Sequence, residues 1–350
     1  MRVLFSTGER SGAVIARPVR QALERIQPDV ECRWLDWSRT LGPVLGFWAG
    51  LRAAKGLGQA LTHAVAEAAE FKPDVAVLVS YSGLHLRLGR KLRAVGIRVA
   101  YVAPPQVWAW GANRTKALKA AADQVVCLFS FEKELLVRAG LEADYFGYPL
   151  LDLVGRGSSA RPLPDIGRYV AFLPGSRPAE VRHHLPLFSR VFELLQEGFP
   201  TLQGVLVGPS AITILPPGNS NMTWSLDERY SIMAGAACLV AVSGTVTAEA
   251  AILGVPMVVC YHLSLPATIT ARVLVRTRYF ALPNILAGRQ IVPELLNPSP
   301  GALAARAARL LADEQASSAM RNQLGRVRAI LGPEGATERI ARLVLALGQR

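Results

Sequence analysis

Along the chain, apolar residues gather in short Val/Leu-rich runs separated by longer stretches in which they recur every three or four positions. In the first half the runs are Val3–Ser6, Val75–Ser80, Val99–Val102 and Gln124–Phe129. Unbroken runs of this length predict strands covered on both faces. Between them Ala13–Ile26, Leu57–Phe71 and Leu86–Val95 have the spacing of amphipathic helices. A stretch rich in Gly, Ser and Pro, Gly155–Arg168, then reads as a linker. Beyond it the scheme restarts with Tyr169–Leu173, Gly204–Val207, Cys238–Val242 and Pro256–Tyr261, followed from about Ala302 by Ala/Leu/Arg-rich helices. Alternating strands and helices predict parallel sheets flanked by helices. The fold class expected is therefore α/β: a domain over 1–154, a linker over 155–168 and a second domain over 169–350. Both are doubly wound and Rossmann-like, facing each other across a cleft.

Composition narrows the class. With 350 residues, 51% hydrophobic and 19% charged, the chain can bury two cores and does not have the makeup of a disordered protein. Its four cysteines are scattered without CxxC or metal spacing, which predicts buried reduced thiols and a cytoplasmic setting. Arg2–Phe5 enters the first strand directly, so no signal peptide is expected, and no apolar stretch reaches the ~18 residues of a membrane span.

The net charge of +13 is unevenly placed. Eight basic residues and no acid lie between Asp74 and Asp123, and four arginines and no acid between Glu249 and Glu294. Such windows suit anionic ligands or an anionic membrane surface, or simply a solvated positive face.

Chemistry is expected just beyond the carboxyl ends of the strands. In FLPGSRPAEV a strand runs into Gly175 and Ser176, and Arg177 opens a helix. Free N–H groups at a helix start together with a guanidinium suit a phosphate. In LVAVSGTVTAEAAIL, Ser243, Gly244 and Thr245 repeat the strand–turn–helix arrangement, and Glu249 lies a turn further in, placed to accept from ribose hydroxyls. STGERSGA (Ser6–Ala13) is a glycine-rich turn without GxGxxG spacing, which speaks against a dinucleotide fingerprint. YVAPPQVWAWGANR (Tyr101–Arg114) puts Trp108 and Trp110 in one loop, as a sugar-stacking wall or as core. Leu41–Leu61 mixes Leu, Phe and Trp with Arg and Lys and reads either as an interfacial segment or as an ordinary core helix.

Taken in order, STGERSG, YVAPPQVWAW, GYPLLD, AFLPGSRPAEV, SGTVTAEAAILGVPMVV and LPNILAGRQIVPELL resemble the lipid-A-disaccharide synthases, inverting glycosyltransferases of GT-B type. The resemblance runs from the first strand to about Asn297. It implies UDP-2,3-diacylglucosamine as donor and a phosphorylated lipid, diacylglucosamine 1-phosphate, as acceptor, giving a β-1,6-linked disaccharide and UDP. It implies that Gly175, Ser176, Arg177, Ser243, Gly244, Thr245 and Glu249 hold the UDP, with Asn284 and Gln290 lining the same site. Gly8, Ser11, Gly12, Gln106, Trp108 and Trp110 would face the acceptor or the sugar. No cofactor or metal is expected, in keeping with the lack of a DxD pair; arginine and a helix dipole would steady the leaving UDP. The partners implied are the UDP-sugar, the lipid acceptor, the inner face of the cytoplasmic membrane and a second copy of the chain, but no nucleic acid.

The resemblance lapses at one place. Where the family has a segment like DxPDFN, whose second aspartate is a candidate base, this chain reads SYSGLH: Ser80 and Gly83 replace the acids and His85 the asparagine. The SGD of the first motif is here Ser11-Gly12-Ala13. An inverting transfer needs a proton acceptor, and His85 and Glu9 are the candidates. Two alternatives stay open: a related glycosyltransferase with another glycolipid acceptor, and a nucleotide-sugar-binding protein without turnover.

Overall fold

The computed structural model describes residues 1–8, 10–35, 37, 50–105, 113–157, 167–208, 222–225, 229–262 and 278–349. Two compact units are present, Met1–Asp152 with Leu331–Arg350, and Leu153–Ile330.

The first unit runs β1 (Arg2–Thr7), α1 (Arg10–Ile26), β2 (Glu31–Trp34), α2 (Gly50–Phe71), β3 (Val75–Val79), α3 (Ser82–Ala94), β4 (Arg98–Val102), α4 (Asn113–Ala121), β5 (Gln124–Cys127), α5 (Ser130–Arg138), β6 (Ala143–Tyr145) and α6 (Leu150–Gly157). Its six strands are parallel in the order β2-β1-β3-β4-β5-β6. All five residues of β3 are buried, because helices cover both faces, and each such Val or Leu contributes about 1.5–3 kcal/mol. One face packs Leu4, Leu78 and Tyr101 on Leu61, Leu84, Leu88 and Leu118.

The second unit runs β7 (Tyr169–Leu173), α7 (Pro178–Gly198), β8 (Gln203–Val207), β9 (Met222–Ser225), α8 (Arg229–Gly235), β10 (Cys238–Val242), α9 (Thr245–Leu253), β11 (Met257–Tyr261), α10 (Leu282–Ala287), β12 (Glu294–Leu296), α11 (Pro300–Ala312) and α12 (Glu314–Ile330). Its strands are also all parallel, ordered β12-β11-β10-β7-β8-β9. The core sets Phe172 against Phe188 and Phe192 of α7. Cys127, Cys238 and Cys260 are buried in strands and all four cysteines are free.

The division of the chain departs from the one expected from sequence. The last helix, α13 (Ala336–Gln349), assigned above to the second domain, returns to the first. Its Ile340 and Val344 join Val3, Phe5, Val19, Leu23 and Val77 in one core cluster. Asp152 fixes its start, with Oδ2 accepting from Thr337 N at 2.8 Å and Thr337 Oγ1 at 2.6 Å, and Oδ1 from Gly335 N. An apolar stripe needs a sheet face, and without α13 this part of the first sheet would lie bare. The expected linker is partly helical, since α6 extends to Gly157; 158–166 lie outside the described residues.

Candidate functional site

Strand order directs attention to two places. In an open parallel sheet, a crevice forms where the order reverses, and ligands bind there at the carboxyl ends of the strands. In the first unit the reversal lies between β1 and β3, where Thr7–Gly8 meets Ser80–Gly83. In the second it lies between β7 and β10, where Pro174–Arg177 meets Ser243–Thr245. The glycine turns singled out in the sequence thus flank the switch point of their own unit.

At the first switch point Ser80 and Tyr81 both adopt left-handed backbone, with φ 58° and 47°. For non-glycine residues this costs on the order of 1–2 kcal/mol each, so the surroundings must enforce it. The carbonyl of Ser80 accepts from His85 Nδ1 at 2.8 Å and from the Tyr101 hydroxyl at 2.9 Å, and Ser80 N–H donates to Val102 O. A carbonyl only accepts, so Nδ1 of His85 carries the proton and Nε2 accepts from Ser6 Oγ at 2.8 Å. Ser6 Oγ in turn accepts from Trp37 Nε1 at 2.9 Å. The Tyr81 ring lies over Gly8, where an added Cβ would come 1.8 Å from Cδ1. Gly12 is buried in α1, and an added Cβ would meet the Val79 carbonyl at 3.1 Å. Glycine is required at Gly8, and Tyr81 is held over it by the left-handed turn.

His85 therefore differs from its expected role. It is completely buried, both ring nitrogens are engaged, and loss of solvation pushes its pKa down to about 4. A ring so enclosed cannot meet an acceptor hydroxyl directly; it holds the Ser80–Tyr81 turn in place. Glu9, Gln106, Trp108 and Trp110 lie outside the described residues, as does the side chain of Ser11.

Gly83 opens onto a groove of about 390 Å³ between α3 and α4, lined among the described residues by Ser82, Leu86, Arg87, Arg90 and Arg114 and by no acid. Three guanidiniums around one groove suit a phosphate. Nothing lies within 4 Å of a Cβ added at Gly83, so the missing carboxylate leaves space and positive charge in its place.

In the second unit, Gly175 has φ 118°, and an added Cβ would approach the Glu180 side chain to 2.8 Å. Glu180 was not anticipated. Its Oε2 accepts from the N–H groups of Ser176 (3.1 Å) and Arg177 (3.3 Å), and its Oε1 from Arg177 Nη1 (3.0 Å). One carboxylate thus occupies the donors foreseen for a phosphate, as an internal anion at the start of α7. The sequence signal was Pro178 at the first helical position with Glu180 two residues on.

Ser243 also departs from expectation. Its N–H donates to Cys260 O at 2.9 Å and its hydroxyl to Phe280 O at 3.0 Å, so neither is left to donate to a diphosphate. Gly244 and Thr245 are exposed at the start of α9. Glu249 is 4% exposed and its Oε2 receives Arg229 Nη2 at 2.5 Å. Burial raises its pKa while Arg229 pulls it down. The ribose role foreseen for this buried carboxylate gives way to an ion pair with the half-exposed Arg229.

Asn284 does not line the site. Its Oδ1 accepts from Ile291 N and Val292 N, and its Nδ2 donates to Val292 O and Glu294 Oε2. With all four positions used, it ties α10 to the strand that follows. Gln290 is exposed at a separate pocket formed with Arg306, Arg309 and Met320, which neither glycine turn of this unit lines.

A family model described as lipid-A-disaccharide synthetase matches residues 3–330. A lipid-A-disaccharide synthase from Trichlorobacter lovleyi is 32% identical over 374 residues, covering 99% of this chain and 97% of its own. One from Anaeromyxobacter dehalogenans is 37% identical over 294 residues, covering 80% and 77%. Among solved structures, a UDP-GlcNAc 2-epimerase from Neisseria meningitidis bound to UDP-GlcNAc superposes with TM-score 0.67 at 13% identity, over 99% of this chain and 100% of its own. The spinosyn forosaminyltransferase SpnP does so with TM-score 0.61 at 16% identity, over 100% of both. At such identities the likeness concerns the fold.

Proposed function

The chain belongs to the lipid-A-disaccharide synthase family, whose members are glycosyltransferases, and from that premise we propose that it moves diacylglucosamine from UDP-2,3-diacylglucosamine to diacylglucosamine 1-phosphate. The acceptor 6-hydroxyl oxygen attacks C1 of the donor sugar as the bond from C1 to the diphosphate breaks. UDP leaves with the electron pair, and C1 inverts to a β-1,6 linkage. The observation that carries this reading is the family match across nearly the whole chain.

The second unit takes the donor. Gly244 and Thr245 at the start of α9 and Ser176 and Arg177 at the start of α7 receive the diphosphate, which displaces Glu180 from the N–H groups that it holds in the free chain. Arg177 then stabilises the charge that grows on the departing UDP. The first unit takes the acceptor, with its 1-phosphate among Arg87, Arg90 and Arg114. Glu9, next to Gly8 in the glycine turn, takes the hydroxyl proton, while His85 positions Ser80 and Tyr81. The lipid nature of the acceptor and the basic excess support work at the inner face of the cytoplasmic membrane; among the described residues no helix is long and apolar enough to cross one.

The test is UDP release by the purified chain with donor alone and with donor plus acceptor. Release that depends on the acceptor, and falls when the acceptor lacks its phosphate, is expected. Release with donor alone, or saturable UDP binding without release, overturns the transfer reading.

A further inference from the structure

Three of the chain's five histidines meet in the second unit. His183 and His184 are neighbours on α7, and His262 directly follows β11. Ring centroids are 5.1 Å apart for His183–His184, 5.5 Å for His183–His262 and 5.7 Å for His184–His262. One ligand nitrogen from each lies within 4.8 Å of the other two. The sequence gives no hint of this, since it contains no recognisable metal-ligand spacing.

His184 is 4% exposed. Its Nδ1 lies 2.8 Å from the carbonyl of Glu180, which only accepts, so Nδ1 is protonated and Nε2 presents a lone pair. That Nε2 is buried without a hydrogen-bond partner, and so is Nδ1 of His262. A buried polar atom left unpaired costs about 1–3 kcal/mol, and two in one cluster call for a common occupant.

We propose that His183, His184 and His262 form a three-imidazole site for a divalent transition-metal ion of the zinc class. Imidazole nitrogens select zinc, cobalt, nickel or copper, whereas magnesium and calcium take oxygen. Zinc–nitrogen bonds of about 2.0–2.1 Å place tetrahedral ligand nitrogens roughly 3.3 Å apart, within reach of small ring rotations from the present spacing. The bond from His184 Nδ1–H to a backbone carbonyl is the outer contact that orients a ligating imidazole. Exposed His183 leaves a fourth position open to water or to an anion. Glu180 belongs to both features: its carbonyl orients His184 while its carboxylate holds the start of α7.

The test uses the full chain without an affinity tag, stripped with chelator and titrated with Zn²⁺ and, separately, with Co²⁺. One ion per chain by elemental analysis is expected, with micromolar or tighter affinity, together with visible Co²⁺ bands of a nitrogen-ligated tetrahedral site and no competition by Mg²⁺. His262→Gln and His183→Gln, each checked for an unchanged circular dichroism spectrum, should weaken binding at least tenfold. His63→Gln, at an exposed position on α2, should leave it unchanged. Millimolar affinity, a thiolate charge-transfer band, or equal affinity in His262→Gln and the parent would overturn the proposal.

Discussion

Ser6 Oγ lies 2.8 Å from Nε2 of His85, joining the end of β1 to the start of α3 beneath the first switch point. Both residues are fully buried, and the protonated Nδ1 on the far side of the ring holds the Ser80 carbonyl. The imidazole is thus a neutral strut under two left-handed residues.

That role sets a pH dependence. His85 has a folded pKa of about 4 against 6.5 for the ordinary side chain. Between these values the unfolded chain binds a proton that the folded chain refuses, so stability falls as pH drops from 6.5 towards 4 and levels off below. The loss is on the order of 3 kcal/mol. Chemical denaturation at pH 7 and pH 4.5 should show His85→Asn less stable than the parent at pH 7 but with a shallower decline. An equal decline in both proteins would mean that His85 does not carry the effect.

Arg177 and Glu180 form the corresponding pair in the second unit, and the donor reading requires them to part. Arg177→Ala should weaken UDP binding about 10- to 100-fold, the worth of a charged hydrogen bond. Glu180→Gln removes the internal anion, so UDP should bind more tightly while the helix start loses about 1 kcal/mol. Calorimetric titration with UDP measures both variants. Weaker UDP binding in Glu180→Gln would show that the carboxylate assists the ligand and does not compete with it.

Much of this was legible in the sequence, and the gaps have physical causes. The buried strands β3, β7 and β10 show as apolar runs because both faces are covered. The unread strands β2, β6, β9 and β12 are the edges of the two sheets, three or four residues long and half exposed, so they carry no such run. Strand order, and with it the switch points, comes from pairing that one chain's pattern does not record. For the same reason the apolar stripe of α13 declared a helix but not the sheet on which it packs. His85 read as a base, because the left-handed turn that draws it inward is made by Ser80 and Tyr81, neither of them glycine. Gly175 and Arg177 stood out from their turn, but that Glu180 holds the donors there, and that Ser243 and Asn284 spend their hydrogen bonds on the protein, was not visible without partners.

If the arginine groove takes the acceptor phosphate as proposed, its loss affects acceptor and not donor. Arg87→Ala combined with Arg90→Ala should raise the KM for a phosphorylated acceptor about 10- to 100-fold or more, with little change in UDP affinity. Steady-state kinetics against an acceptor lacking the phosphate provides the contrast. An equal loss with both acceptors would remove the groove from phosphate recognition.

The two glycines of the first switch point should behave oppositely. Gly8→Ala drives a methyl group into the Tyr81 ring and should cost about 1–3 kcal/mol or more. Gly83→Asp meets open space in the first turn of α3, where a helix favours an acid over glycine, and should gain up to about 1 kcal/mol. Thermal unfolding of both variants decides; a destabilised Gly83→Asp would contradict the groove's geometry.

The most direct test of the whole account is the lipid product itself. Incubated with UDP-2,3-diacylglucosamine and diacylglucosamine 1-phosphate, the purified chain should yield one UDP per molecule of tetra-acylated disaccharide monophosphate, with a β-1,6 linkage by mass spectrometry and proton NMR. Free diacylglucosamine from hydrolysis, an α linkage, or no new lipid from a folded chain that binds UDP would contradict it.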